Sequence, residues 1–573
     1  MNRQKQIVLI MLFAAWSLSV SATVKLKWQG NSAHIEVNGK PMLIFGGELS
    51  NSAATSIADI DSVIPRMARL GLNTVLVPAQ WDLIEPVEGK FDFSLIDETI
   101  QQARKHDMRV VFLWFGAWKN SMSCYAPMWF KQDVKRFPRA ETAAGKPLEI
   151  ASAFSENVFQ ADCRAFCRLM QHIADVDATQ NTVIMIQVEN EIGMLEAARD
   201  HAPAAEKMWK KQLKEGLFSD DIYGEERFMA LHYAKYVERM AVAGRKIHDI
   251  PMYVNAAMNS RGRKPGEYPS AGPLAHLADI WQTAAPHIDI LAPDIYDTGF
   301  KQWASQYDLT DEMGDFCTKT QNDKKEKAKF SRTKGKTSNL KPQTSNPLFV
   351  PESRCCNNSG VRALYSFGEH QAVGFCPFAI DQASSADENS ISSTYKMLKQ
   401  LEPLLMKYRG KGAMRGVLMD KNDRETILTD GKDVVLTCRH YFTLPWDPRA
   451  TDGSEWPEGG AIIVRLSPKE YLIAGNGVVI EFKTTTEKQQ EEQKKLGEDG
   501  FLEAGNTTDA AAKSSKQFSG KRLGIGYVDE VKVDENGNLQ YVRRENGDQS
   551  HQGRHARISV GENKILRVKL YEY

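Results

Sequence analysis

Two acidic residues close the stretch Val183-Ile-Met-Ile-Gln-Val-Glu-Asn-Glu-Ile-Gly193. Val183 to Val188 reads as a mostly apolar strand, with Glu189 and Glu191 flanking Asn190 at its end and Gly193 turning the chain away. A carboxylate at the end of a buried strand costs free energy unless it is paired, hydrogen-bonded or used. Another acid ends a second apolar run, Leu348-Phe-Val-Pro-Glu352. Two carboxyls facing each other can cleave a bond between them. One protonates the leaving oxygen, while the other attacks the carbon or activates water.

Such a pair needs a frame that brings distant strand ends together. Short apolar runs recur along the chain, near 42–47, 74–77, 109–115, 183–188, 252–255, 288–292, 348–352 and 374–378. Helical patterns lie between them. Asp61 to Leu70 predicts a short helix with Pro65 near its first turn and Gly71 as its stop. Ser94-Leu-Ile-Asp97 looks like a capping box, and positions 159, 163, 166, 167, 170, 173 and 174 repeat at three and four residues, as a core-facing helix requires. Eight strands alternating with helices predict a (β/α)8 TIM barrel. A doubly wound sheet competes, but Gly46-Gly47 after the first run is not the glycine pattern of a phosphate turn.

In a barrel the chemistry sits at the C-terminal strand ends. Those positions hold Glu48, Trp81-Asp82, Trp118-Lys119-Asn120, Asn190-Glu191, Asn255, Asp294, Tyr296, Glu352 and Asp381. Carboxylates, amides and aromatics suit a carbohydrate: rings stack on sugar faces, and amides and acids bond its hydroxyls. Glu191 and Glu352 are the candidate catalytic pair. Trp118, Lys119, Asn120, Asn190 and Tyr296 are candidate substrate contacts. Trp118 fits core packing equally well, Lys119 fits a solvated surface position, Glu189 reads as support, and Asp82 and Glu85 fit loop capping. A carboxyl separation of ~5 Å would imply retention of configuration, and ~6.5–9.5 Å inversion.

These motifs resemble a known family. Gln187-Val-Glu-Asn-Glu191 followed by Gly193 is similar to the Gln-x-Glu-Asn-Glu-x-Gly motif of family 35 glycoside hydrolases. Gly71-Leu-Asn-Thr74 and Trp81-Asp-Leu-Ile-Glu-Pro86, with Gly89-Lys-Phe-Asp-Phe93, resemble its second-strand signature. The resemblance covers roughly residues 40–410 and implies a retaining, exo-acting β-galactosidase. Glu191 would be the acid/base, Asn190 a partner of the sugar 2-hydroxyl, Glu352 the nucleophile and Tyr296 its hydrogen-bond donor. Ile192 stands where the family has Tyr, the third-strand loop reads Gly116-Ala-Trp-Lys-Asn120, and Ser-Arg follows Glu352. Members of the bacterial branch with a C-terminal β domain include enzymes acting on galactose side chains of xyloglucan. The rival readings are another clan glycosidase, an endo-glucanase or mannanase, and an inactive carbohydrate-binding barrel. Side chains alternate along a strand, which separates Asn190 from Glu191, whereas the implied chemistry wants both near the sugar. An irregular backbone at Asn190 is therefore expected.

The remainder sets the context. The 573 residues exceed one compact core. Residues 1–22 read as a secretory signal peptide: Arg3 and Lys5, an apolar run to Val20, and Val20-Ser-Ala22 for cleavage. Residues 23–410 form the predicted barrel, with an N-terminal hairpin lid turning at Asn38-Gly39 and a Lys-rich insertion near 311–345. Residues 411–573 carry short β-branched runs and predict an all-β sandwich-like domain with a polar insertion near 484–519. Both insertions read as solvated and partly disordered. Net charge is +0, from 73 basic and 73 acidic residues, which offers no electrostatic basis for nucleic acid or an anionic membrane. The expected partner is a carbohydrate, with no membrane attachment after signal cleavage and a periplasmic or extracellular location. Eight cysteines show no zinc spacing, so no metal and no cofactor are expected. Cys163 and Cys167 fit a helix face, and a Cys356–Cys124 bridge is one conceivable pairing.

Overall fold

The computed structural model describes residues 23–259, 262–310, 316–318, 345–491 and 520–573. The expected signal peptide and most of the two expected insertions lie outside these residues.

A parallel barrel wrapped by helices forms the first part. Its strands are Ile44–Glu48, Thr74–Gln80, Arg109–Phe115, Val183–Gln187, Met252–Ala257, Ile290–Ile295, a seventh in two pieces, and Gly374–Phe375. The seventh comprises Phe349–Val350 and Glu352–Ser353, separated by Pro351. Proline has no N–H to give a ladder, and the two pieces pair with different neighbours. Phe349 and Val350 pair with Gly374 and Phe375 of the eighth strand, while Glu352 and Ser353 pair with Asp294 and Ile295 of the sixth. The eighth pairs with the first, so the ring closes through Pro351. The strands are apolar and almost wholly buried because helices cover the outside and packed side chains fill the inside.

Some expected boundaries move. The first helix runs Ile57–Leu70, capped by the Ser56 hydroxyl accepting from the Asp59 N–H. Pro65 is therefore interior rather than in the first turn. Ser94 is the first helical residue and not a cap. Phe93 holds the cap position, and Asp92 accepts the Ser94 N–H at 2.9 Å. The three N-terminal strands, Val24–Gln29, Ser32–Val37 and Lys40–Met42, turn at Asn38-Gly39 with both residues at positive φ. They dock on the chain ends opposite the strand-end acids: Gln29 donates to the Met406 and Arg409 carbonyls, and Asn181, just before the fourth strand, donates to Asn38. The hairpin thus plugs the far end and is no lid over the site. Cys124 and Cys356 are both free thiols, so no bridge joins them.

From Met414 the strands are antiparallel. Two sheets of five and six strands enclose a separate apolar core that includes Leu436, Ile463, Ile480 and Leu566. The five-stranded sheet takes one strand from the Lys-rich insertion, Phe316–Thr318, paired with Glu425–Asp430. Among the described residues no helix is long and apolar enough to cross a membrane.

Candidate active site

The fourth strand is regular only to Gln187. Beyond it Glu189 and Glu191 both adopt positive φ, at 61° and 47°. Asn120 and Ser121 on the neighbouring loop do the same, at 49° and 69°. Each such non-glycine residue costs about 1–3 kcal/mol and persists only where its surroundings fix it. Here the surroundings are specific. The Asn190 N–H donates to the Trp118 carbonyl at 3.3 Å, the Ser121 N–H to the Glu191 carbonyl at 3.1 Å, and the Glu191 N–H to Asn255 Oδ1 at 2.9 Å. The two reversals break the alternation and turn Asn190 and Glu191 toward the same centre. This is the irregular backbone expected at Asn190.

That centre is crowded with acids. Oxygens of Glu191, Asp294 and Glu352 all lie within 4.8 Å of one another. Asp294 and Glu352 are register partners on adjacent strands, which alone brings their side chains side by side. Glu352 collects three donors. The Tyr296 hydroxyl donates to Oε2 at 2.7 Å, and the amides of Asn190 and Asn255 donate to Oε1, each at 3.4 Å. Glu191 receives the Asn120 amide and has the Lys119 ammonium 3.9 Å from the same oxygen. Lys119 and Glu191 are 4% and 5% exposed, so water screens this pair little.

The electrostatics follow from that burial. Desolvation, then the neighbouring charge of Glu352, push the Glu191 carboxyl up to about 7. Burial and the same charges raise Asp294 and Glu48 well above the carboxylate range. Burial works against the charge of Lys119, but the surrounding acids, Glu352 foremost and then Glu191, outweigh it and hold the ammonium protonated. The three clustered carboxyls are close enough to share a cation. The groups already aimed at Glu191 and Glu352, from Lys119, Asn120, Asn190, Asn255 and Tyr296, are all hydrogen donors, and Lys119 is the one positive charge among them.

Glu189 points the other way. Its Oε2 accepts the Trp118 N–H at 2.9 Å, and it is hydrogen-bonded to Asp162, with burial raising both carboxyls. Asp162 in turn accepts from Trp114 Nε1 at 2.9 Å and the Tyr236 hydroxyl at 2.8 Å. Two carboxyls in contact hold a proton between them. Gly116 makes room for the pair. A Cβ there would stand 2.2 Å from Trp114 Nε1, 2.6 Å from Asp162 Oδ1 and 2.8 Å from Glu189 Oε1.

Of the expected contacts, Lys119, Asn120, Asn190 and Tyr296 converge on Glu191 and Glu352. Trp118 requires correction. It is fully buried, edge-to-face with Tyr233 and Tyr236 of the helix Ile222–Arg245 at 5.6 and 4.8 Å. Its ring packs as a wall of the barrel, its backbone N–H goes to Glu189 and its carbonyl accepts the Asn190 N–H. Asp82 is half a helical turn off the second strand, and Asp381 anchors Ser50 through its N–H and hydroxyl at 2.6 and 2.7 Å. Strand-end position marked Glu48, Asn255 and Asp294 without giving them a task. Asp162 carried no such signal, since it lies inside a helix (Glu156–Asp177).

Residues 54–231, which include the Gln187–Glu191 motif, match the model of glycoside hydrolase family 42, described as β-galactosidase. Residues 391–557 match a domain of unknown function, DUF5597. No curated protein matches the chain. Similar solved structures include a β-galactosidase from the psychrophilic Marinomonas ef1, at 11% identity over 63% of this chain and 60% of that one, with a TM-score of 0.42. Another is a catalytic mutant of a family 42 β-galactosidase from G. stearothermophilus, at 15% identity over 67% and 59%, with a TM-score of 0.45. The chain thus spans about three-fifths of the length of these structures. The sequence resemblance to family 35 is corrected accordingly: the family model that the barrel matches is that of the family 42 β-galactosidases.

Proposed function

We propose that the protein is a retaining, exo-acting β-galactosidase that removes terminal β-D-galactosyl residues. The observation that carries the reading is the Glu191–Glu352 pair, whose oxygens approach within 4.8 Å. That spacing is near the ~5 Å of retaining pairs and below the ~6.5–9.5 Å of inverting ones, which favours a nucleophile over a base-activated water. The two environments divide the roles. Glu352, with three donors, is the ionised nucleophile that attacks the anomeric carbon. Glu191, pushed up to about 7, carries the proton that the leaving oxygen needs. Once Glu352 is esterified its charge is gone, and Glu191 becomes the base that activates water. The Asn190 amide, which reaches Glu352 Oε1 at 3.4 Å, supports its reading as the partner of the 2-hydroxyl. The match to the β-galactosidase family model supports the sugar. The near-complete burial of the acids, at 5% and 3% exposure, supports a pocket for a chain end over an open endo-groove.

The natural substrate we propose is a galactosyl side chain of plant polysaccharide such as xyloglucan, met outside the cytoplasm after export. A panel of aryl β-glycosides tests the core reading. The β-galactoside should be cleaved fastest with retained anomeric configuration, and Glu352→Gln should abolish turnover. Preference for a glucoside or mannoside, an inverted product, or turnover by Glu352→Gln would each overturn it.

A further inference from the structure

Asp294 has no task in the scheme above, yet it sits at its centre. It is fully buried at the end of the sixth strand, with one oxygen accepting the Asn255 amide at 2.7 Å. The other oxygen is buried and receives no N–H or O–H from any described donor. Its register partner Glu352 takes three donors, one of them a hydroxyl at 2.7 Å. Two carboxyls this close in a dry site cannot both ionise cheaply. The one rich in donors keeps the charge, and the one with a bare oxygen keeps a proton. Glu191 and Glu352 both lie within 4.8 Å of Asp294; Glu352 is already supplied with three donors, and Asp294 is in hydrogen-bonding contact with Glu191, which is the acceptor left for that proton. Around it stand Glu48 from the first strand, Lys119 beyond the third, Glu191 beyond the fourth, Tyr253 on the fifth, Tyr296, Tyr307 and Glu352. Lys119 alone among them is cationic, and it lies against Glu191.

We propose that Asp294 works as a neutral carboxylic acid, a positioning residue that donates a hydrogen bond to Glu191 and steadies it in its ionised, base form. The role rests on the reading of Glu191 as the acid/base. It completes the second half of that cycle, in which Glu191 must hold a negative charge beside an incoming water. Lys119 and Asn120 supply the other contacts to that charge.

The test compares Asp294→Asn, neutral and still a donor, with Asp294→Leu, neutral and no donor. Infrared difference spectra of wild type against Asp294→Asn, taken without substrate, should show loss of one protonated-carboxyl absorption. No such loss would mean that Asp294 is ionised and would overturn the inference, whatever the enzyme cleaves. On an aryl β-galactoside, Asp294→Asn should stay within about tenfold of wild type. Asp294→Leu should fall about 10- to 100-fold, the usual consequence of losing a buried bond to a charged group, with the alkaline limb of kcat/KM moved upward. Equal damage in both variants would refute the donor role. If the wild type ignores galactosides, the functional reading fails separately. If Asp294→Leu does not fold, the spectrum and the Asn variant still decide.

Discussion

Lys119 and Glu191 make an ion pair whose loss has a calculable sign and size. The ammonium stands 3.9 Å from Glu191 Oε2, both groups almost sealed from water. At that distance and an effective dielectric of about 20, the attraction is about 4 kcal/mol. At about 1.4 kcal/mol per pH unit this is at most about 3 units on Glu191. An opposite charge favours the ionised acid, so removing Lys119 raises the carboxyl further above its present value of about 7. Asn120 donates to the same oxygen with or without Lys119, and water drawn toward the vacated space offsets part of the loss, leaving an expected shift of about 1–3 units. The assay is the pH profile of kcat/KM for Lys119→Met on an aryl β-galactoside, which reports the free enzyme. Glu191 must be protonated to act first, so the alkaline limb should move to higher pH, while the water-dependent second step slows because its base is harder to ionise. An alkaline limb that stays put or moves to lower pH would refute both the ion pair and the assignment of Glu191 as the acid.

Three further outcomes are expected. Tyr296→Phe strips Glu352 Oε2 of the hydroxyl at 2.7 Å, a bond to a charged group worth about 1.5–3 kcal/mol, so kcat/KM should fall about 10- to 100-fold with little change in thermal stability; a loss below threefold would remove Tyr296 from the site. Glu189→Gln replaces the proton shared with Asp162 by an amide N–H and should be tolerated, whereas Glu189→Leu orphans Asp162 and the Trp118 N–H and should cost about 1–3 kcal/mol in urea unfolding. Gly116→Ala forces a methyl against Trp114, Asp162 and Glu189 and should lower both the melting temperature and turnover; a variant as stable as wild type would show that this contact relaxes easily.

Periodicity carried the barrel well because parallel strands are buried on both faces and read as plain apolar runs. It also put Glu191 and Glu352 at strand ends, where a barrel concentrates its polar groups, and the structure brings their oxygens within 4.8 Å. Three things escaped it. Trp118 has the composition of a sugar platform, and only its contact with Tyr233 and Tyr236, more than a hundred residues on, makes it core. Asp162 is one acid among many on a helix until Glu189 turns back to meet it. Asp294 sits at a strand end like its neighbours, but what sets it apart is which donors face it, and that is a matter of register between strands. Phe316–Thr318 is a smaller case of the same kind, a three-residue strand inside a polar insertion, visible only through its pairing with Glu425–Asp430.

The interruption at Pro351 has a consequence for how the molecule is assembled. Glu352 belongs to a two-residue strand attached to the sixth strand, and the two residues before the proline are attached to the eighth. The sealing contacts join residues 374–375 to residues 44–45, more than three hundred positions apart. Contacts so distant in sequence are slow to form. Turnover is thereby also a gauge of whether the cylinder has been sealed: a chain with its first six strands in place would own Glu191, Asn190 and Asn255, and would still lack Glu352, which arrives with the seam.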